Sequence, residues 1–134
     1  MAITVGVKAL VAAAEKEIKT LSLTEATALL KTDTAVFVDI RDIRELQREG
    51  KVEGAIHAPR GMLEFWVDPD SPYHRDVFAQ NKTYILYCAS AWRSALATQA
   101  LQQMGMDNVC HIAGGFTAWK GADLPIEPVA TKTA

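Results

Sequence analysis

Two stretches of this chain are apolar with almost no polar alternation. They are Ala35-Val36-Phe37-Val38-Asp39-Ile40 and Thr83-Tyr84-Ile85-Leu86-Tyr87. A strand with one face in water alternates polar and apolar side chains, whereas a strand covered on both faces need not. Such strands suit a parallel sheet with helices on either side. The segments around them fit that plan. Ser94 to Met104 reads as a helix, with Ala97, Ala100, Leu101 and Met104 at i, i+3, i+4 and i+7 and Gly105 as its stop. Residues 4–18 read as a first helix with Val7, Leu10, Val11, Ala14 and Ile18 along one face, and Ile18 to Leu21 as a short strand. Ser22 or Thr24 can cap a second helix, with Glu25 in its first turn, Leu29 and Leu30 inside and Asp33 closing it. A charged helix is expected from Arg41 to Arg48, a turn between Gly50 and Gly54, and a brief strand over Ala55–Ala58 ended by Pro59. Residues 60–80 read as a longer irregular stretch carrying Phe65, Trp66, Tyr73 and Phe78, with Pro69 and Pro72 as breakers. Val109 to Ile112 is a further strand. Gly114-Gly115 opens a last helix, with Phe116, Ala118 and Trp119, that ends near Gly121 and Pro125. The alternation implies an α/β domain with a mainly parallel sheet of about five strands.

A length of 134 residues and 14.6 kDa is one domain's worth, enough to bury a core without staples. The formal charge of −2 and pI of about 5.9 give no cationic field to hold a nucleic acid or an anionic membrane. Cys88 and Cys110 are too few for a disulfide framework, and with three scattered histidines they make no closed zinc site. No cofactor or metal is called for. The apolar runs are too short to span a bilayer. Val5 to Ala14 is apolar and ends in Ala12-Ala13-Ala14, but no positive charge precedes it and Lys8 interrupts it, so it reads as a helix rather than a secretory signal. A cytoplasmic location is expected from that absence of an address.

The chemistry is concentrated after the second apolar strand. Cys88 leaves it, the loop Ala89-Ser90-Ala91-Trp92 follows, and a helix is expected to begin at Arg93 and Ser94. Ligands of parallel sheets gather beyond the carboxyl ends of the strands. A helix N-terminus offers unpaired N–H groups and a partial positive charge, and a loop curling over it can aim further amides inward. A thiol ordinarily titrates near pH ~8.5, and such surroundings lower that by several units. Cys88 is therefore the candidate thiolate nucleophile. The alternative is a small buried hydrophobe at a strand end.

Four pieces of the chain in order resemble a single-domain rhodanese, a sulfurtransferase. Val38-Asp39-Ile40-Arg41 with Glu45 is similar to the family's first box, and Gly50 through Gly54-Ala55-Ile56-His57-Ala58-Pro59 to its second, with Lys51 and Glu53 in place of the usual histidine and proline. Tyr87-Cys88 through Arg93-Ser94 resembles the active-site loop. Gly114-Gly115-Phe116 with Ala118-Trp119 and Gly121 to Pro125 resembles the closing box. The resemblance covers roughly residues 20–127, leaving 1–19 as an N-terminal helical extension and 128–134 as a tail. It implies a rhodanese-like three-layer sandwich. The family's loop usually has glycine three residues after the cysteine. Here Ala91 stands there, implying either an ordinary φ or a modest penalty. Ala89 and Ser90 lack the basic side chains that thiosulfate-preferring members often carry.

The resemblance also implies a reaction. Cys88 takes the outer sulfur of a donor such as thiosulfate as a persulfide and passes it to cyanide or a thiol. The loop residues Ala89, Ser90, Ala91, Trp92, Arg93 and Ser94 would line the donor site. Arg93 either binds the anionic donor or braces the loop through a carboxylate such as Asp39. Asp39 is read as that brace or as a cap for the helix at Arg41, and Arg60 as a weaker donor-binding candidate or a solvated loop residue. Trp92 walls the entrance or packs on Phe65 or Trp66. His57 and His111 read as structural histidines, Cys110 as core filler and Trp119 as a core anchor.

Three other readings stay open. A cysteine phosphatase or arsenate reductase on the same fold usually has five residues between cysteine and arginine, and this chain has four. A rhodanese-like interaction module without catalysis generally lacks the cysteine. A persulfide carrier would hand its sulfur to a partner protein. The apolar face expected on the first helix serves a homodimer or a sulfur-acceptor protein, or packs on the sheet.

Overall fold

The computed structural model describes residues 2–131. Its centre is a five-stranded, all-parallel sheet. The strands β1 (Thr20–Leu21), β2 (Ala35–Asp39), β4 (Ile56–His57), β5 (Thr83–Tyr87) and β6 (Val109–Ile112) lie in the order β1-β6-β5-β2-β4. The two unalternating runs are β2 and β5, in register from Ala35 beside Thr83 to Asp39 beside Tyr87. Their apolar residues divide by strand period between two cores. Phe37, Ile85 and Tyr87 face one side with Phe116 and Trp119, while Val38, Tyr84, Leu86 and Cys88 face the other with Leu63, Ala97 and Leu101. Both faces are thus covered, which gives the three-layer arrangement.

The helices are α1 (Val7–Glu17), α2 (Leu23–Leu29), α3 (Ile43–Glu49), α4 (Leu63–Val67), α5 (Trp92–Gln103) and α6 (Gly115–Gly121). Ser22, not Thr24, caps α2, in a reciprocal box with Glu25. Asp42 caps α3 with Glu45, so that helix starts two residues after Arg41 and Asp39 is not its cap.

Several expectations need correction. The turn between Gly50 and Gly54 contains a strand, β3 (Lys51–Val52), paired antiparallel with β7 (Ile126–Glu127). Two-residue strands carry no readable period. Residues 60–80 are not irregular. They hold α4 and two 3-10 turns, Arg60–Met62 and Asp76–Ala79, anchored by buried Leu63 and Phe78 and by Arg75 stacked 3.6 Å over Trp66. The first helix packs on α5, through Val11 and Ala14 against Ala95, rather than on the sheet. Its Val7 and Leu10 are exposed. Met104 is also exposed, because it is the C-cap of α5 and not part of its inner face. No described helix is long and apolar enough to cross a membrane. Of the proposed tail, residues 132–134 lie outside the described residues.

Candidate active site

Cys88 follows β5, the middle strand of the sheet, so it emerges at the carboxyl edge with β2 on one side and β6 on the other. Its carbonyl and that of Ala89 accept N–H groups from Phe116 at 2.8 Å and Thr117 at 3.1 Å. The first turn of α6 therefore pins the start of the loop. This contact explains the second of the paired glycines. Gly115 has φ +60°, and a Cβ there would stand 2.6 Å from the Cys88 oxygen and 2.7 Å from the Ala89 oxygen. Only glycine lets the two backbones meet so closely.

At its far end the loop turns through Ala91, whose φ of 72° and ψ of 2° are left-handed. The strained alternative expected for this position is the one observed. That turn starts α5 at Trp92, one residue before the expected start, so Trp92 is helical rather than part of the loop. The Ser94 N–H then points back at the sulfur, donating to Cys88 Sγ at 3.4 Å, and Ser94 Oγ lies 3.7 Å from it. Both residues are buried, Cys88 at 1% exposure. The thiol thus sits under the loop, against the first turn of a twelve-residue helix. Such a turn favours negative charge.

Arg93 is braced, though not by Asp39. Its guanidinium makes two hydrogen bonds to Glu45, at 2.8 and 3.0 Å, tying the start of α5 to the first turn of α3. The bond to Arg93 holds the Glu45 carboxyl below its usual range, and the same bond raises Arg93. Asp39 belongs to Arg41 instead. It accepts from the Arg41 backbone N–H, Nε and Nη2 at 2.8–3.2 Å, and Arg41 Nη2 also donates to the Gly50 carbonyl at 2.7 Å. Both are fully buried, and the guanidinium stacks 4.2 Å above the Phe116 ring. A neighbour two residues away claims Asp39 before a residue on α5 can reach it. Through Phe116 the pair supports the helix that pins the loop.

The remaining candidates divide. Arg60 reaches the same sheet edge, where its N–H donates to Ile40, but its side chain is paired with Glu64 at 2.6 Å. Trp92 is exposed and does not pack on the two expected aromatics: Phe65 meets Tyr73 edge-on and Trp66 lies under Arg75. With Ser90, Ala91 and Gly114 it borders a hollow beside the loop. His57 Nε2 bonds the Arg41 carbonyl, Trp119 Nε1 donates to the Pro125 carbonyl, and Cys110 fills the core. Sequence reasoning left two features unseen: the contact of Gly115 with the loop backbone, and the hydrogen bonds of His111 to Ser94 and Thr20. The double glycine was a usable sign of the first. For the second the partners are 17 and 91 residues distant, with no local pattern.

Comparison with known proteins locates this geometry. A family described as the rhodanese-like domain matches residues 22–122. A solved structure from Rhodopseudomonas palustris, described as a protein of unknown function and possible tyrosine phosphatase, is 48% identical with a TM-score of 0.91. The match covers 95% of this chain and 98% of that one. An uncharacterised protein of Synechocystis is 35% identical over 106 residues, 79% of this chain. The chain spans about half of that relative's length, 53%. A thiosulfate sulfurtransferase of Actinobacillus succinogenes is 28% identical over 100 residues, covering 74% of this chain and 81% of the relative.

Proposed function

The chain belongs to the rhodanese-like family, and from that premise we propose that it is a sulfurtransferase working through a persulfide on Cys88. The observation that carries this reading is the Ser94 N–H directed at Cys88 Sγ from the first turn of α5. An amide donor and a helix terminus both favour the sulfur anion, before and after it gains a second sulfur. In the first half-reaction the Cys88 thiolate attacks the outer sulfur of a donor such as thiosulfate. The donor's S–S bond breaks, sulfite leaves with the electron pair, and a persulfide anion remains. In the second, cyanide or a thiolate attacks the outer sulfur and Cys88 returns as thiolate. Charge balances in each step, and positioned N–H donors are suited to holding the negative charge.

Arg93 serves as a brace in this reading, since Glu45 holds both of its terminal nitrogens. Ala89, Ser90, Ala91 and Trp92 shape the approach to the sulfur. Asp39 acts at a distance, through Arg41 and Phe116. Arg60, paired with Glu64, is free for a donor only after that pair opens. The donor is a small anion carrying a sulfane sulfur, and the acceptor is cyanide, a small thiol or a partner protein's thiol.

The phosphatase reading draws on the description of the Rhodopseudomonas palustris structure. Against it, four residues separate Cys88 from Arg93, and the shorter loop makes a cradle better sized to a sulfur atom than to a tetrahedral phosphate. Intact mass after incubation with thiosulfate separates these readings. The wild-type chain should gain about 32 Da, one sulfur atom, on a peptide containing Cys88. No adduct with any sulfane donor, together with release of phosphate from an aryl phosphate, would replace this reading with the other.

A further inference from the structure

A line of hydrogen bonds runs from the active-site sulfur to the surface. Cys88 Sγ lies 3.7 Å from Ser94 Oγ, Ser94 Oγ lies 2.9 Å from His111 Nδ1, and His111 Nε2 lies 3.0 Å from Thr20 Oγ1. Cys88, Ser94 and His111 are buried, whereas Thr20 is exposed. The line therefore crosses from β5 through α5 and β6 to the edge strand β1. It reaches solvent at a hollow shared by Thr20, Ser90, Trp92, His111 and Glu15.

The histidine is placed unusually for a core strand. A buried imidazole is costly unless both ring nitrogens are bonded. Here both are, and both partners are hydroxyls, which can donate or accept. Burial pulls the His111 pKa down to about 4, so the ring is neutral near pH 7. The charged and titratable groups around the line are Cys88 at its inner end, Glu15 at the hollow, and Lys19 and Arg93, the chain neighbours of Thr20 and Ser94.

We infer that His111 is a positioning residue that carries the Cys88 thiol proton to solvent by exchanging tautomers, and then turns the whole line of donors toward the sulfur. The inference rests on the sulfurtransferase reading for its purpose. With the thiol protonated, S–H donates to Ser94, Ser94 O–H donates to Nδ1, and Nε2–H donates to Thr20. On ionisation the S–H bond breaks and its electron pair stays on sulfur. Ser94 gains that proton and gives its own to Nδ1. Nε2 releases its proton to Thr20, whose own proton passes to water. One proton leaves and the ring is neutral at both ends of the step, which suits a site where burial opposes imidazolium. In the resulting state Thr20 donates to Nε2, Nδ1–H donates to Ser94, and Ser94 O–H donates to the thiolate. Each bond then stabilises the anion. A histidine with a purely structural role keeps one tautomer throughout.

The test uses the wild-type protein labelled with ¹⁵N. The His111 ring shifts are followed across the titration of Cys88, which is read separately from the pH dependence of its alkylation by iodoacetamide. The Nε2–H form should give way to the Nδ1–H form at the midpoint of thiol ionisation. His111→Gln, which has no second tautomer, should raise the alkylation midpoint by about one pH unit, about a tenfold fall in the thiol's ionisation constant. Thr20→Val, at the exposed end, should raise the alkylation midpoint by about half a pH unit, about threefold in the ionisation constant. A single tautomer throughout the thiol titration overturns the inference, as does an alkylation profile that neither variant moves. If His111→Gln fails to fold, the wild-type spectrum and Thr20→Val decide. Failure of the wild type to accept sulfur would instead remove the sulfurtransferase reading, because neither the tautomer nor the alkylation measurement depends on it.

Discussion

One cysteine lies inside a strand and the other just past the end of the neighbouring strand; they are equally buried, each at 1% exposure, yet they face opposite chemistry. Cys110 lies inside β6, beside Ile85 in the register, and its S–H donates to the Tyr84 carbonyl at 3.7 Å. A carbonyl can only accept, so it favours the protonated thiol, and burial pushes the Cys110 thiol up to about 11. Cys88 stands one residue beyond β5 and faces an N–H, which can only donate and so favours the anion. Depth is the same in both places. What differs is whether the strand continues, because a continuing strand surrounds the sulfur with its neighbour's ladder, while a strand that has ended meets the start of a helix.

The largest effect expected is a complete separation of the two sulfurs. Cys88→Ser should abolish sulfur loading from thiosulfate, whereas Cys110→Ser should leave the mass adduct intact. In the folded protein Cys110 should also resist alkylation until the pH nears 11. A raised pKa means that most of the thiol keeps its proton until the pH comes within about a unit of that value. Intact-mass spectra over a pH series measure both. Sulfur retained by Cys88→Ser would show that facing donors are not what makes a buried sulfur reactive here.

A second way to break the contrast is to move the wall behind Cys88 without touching its side chain. Gly115→Ala places a methyl group within 2.6–2.7 Å of the Cys88 and Ala89 oxygens, at a φ of +60° that disfavours any side chain. Strain and overpacking together should cost about 2–5 kcal/mol of stability. Sulfur loading should slow further than the stability loss accounts for, as the first turn of α6 lets go of the loop. Urea melts paired with single-turnover loading by thiosulfate measure the two parts. Loading at the wild-type rate in a folded variant would mean that α6 has no part in setting the loop.

These residues also show where sequence was sufficient. β2, β5 and α5 were legible because their patterns are local: unbroken apolar runs and a helical period. The cysteine loop was legible for the same reason, as a strand, a short link and a helix in immediate succession. Partners were less so. Glu45 and Asp39 are both carboxylates near Arg41, and which of them meets Arg93 depends on α3 lying beside α5. The buried stripe of α1 is narrower than its apolar pattern implies, because α5 meets it through Ala95 with Leu96 packed alongside and leaves Val7 and Leu10 in water. His111 reads from sequence as one more residue in a short strand. Its chemistry arises from Ser94 and Thr20, which only the parallel sheet brings to its two nitrogens.

The smallest effect concerns the strain stored on the Cys88 side alone. Ala91 sits at φ 72° to start α5, a conformation that costs an L-residue about 1–2 kcal/mol. Ala91→Gly removes that cost but gives the unfolded chain more freedom, which takes back about 0.5–1 kcal/mol. Glycine should therefore stabilise by about 0.5 kcal/mol after both terms. Calorimetry should show a rise of about 1–3 °C, since a change of that size moves a small domain by about 2–4 °C and a larger one by about 1–2 °C. The Ser94 N–H keeps its aim, since glycine adopts the same turn, so sulfur loading should keep its rate. A loss of stability would mean that the buried Ala91 methyl contributes more by packing than its backbone loses by strain. The difference between the two cysteines would then rest on the donors alone, with no contribution from a loop held under tension.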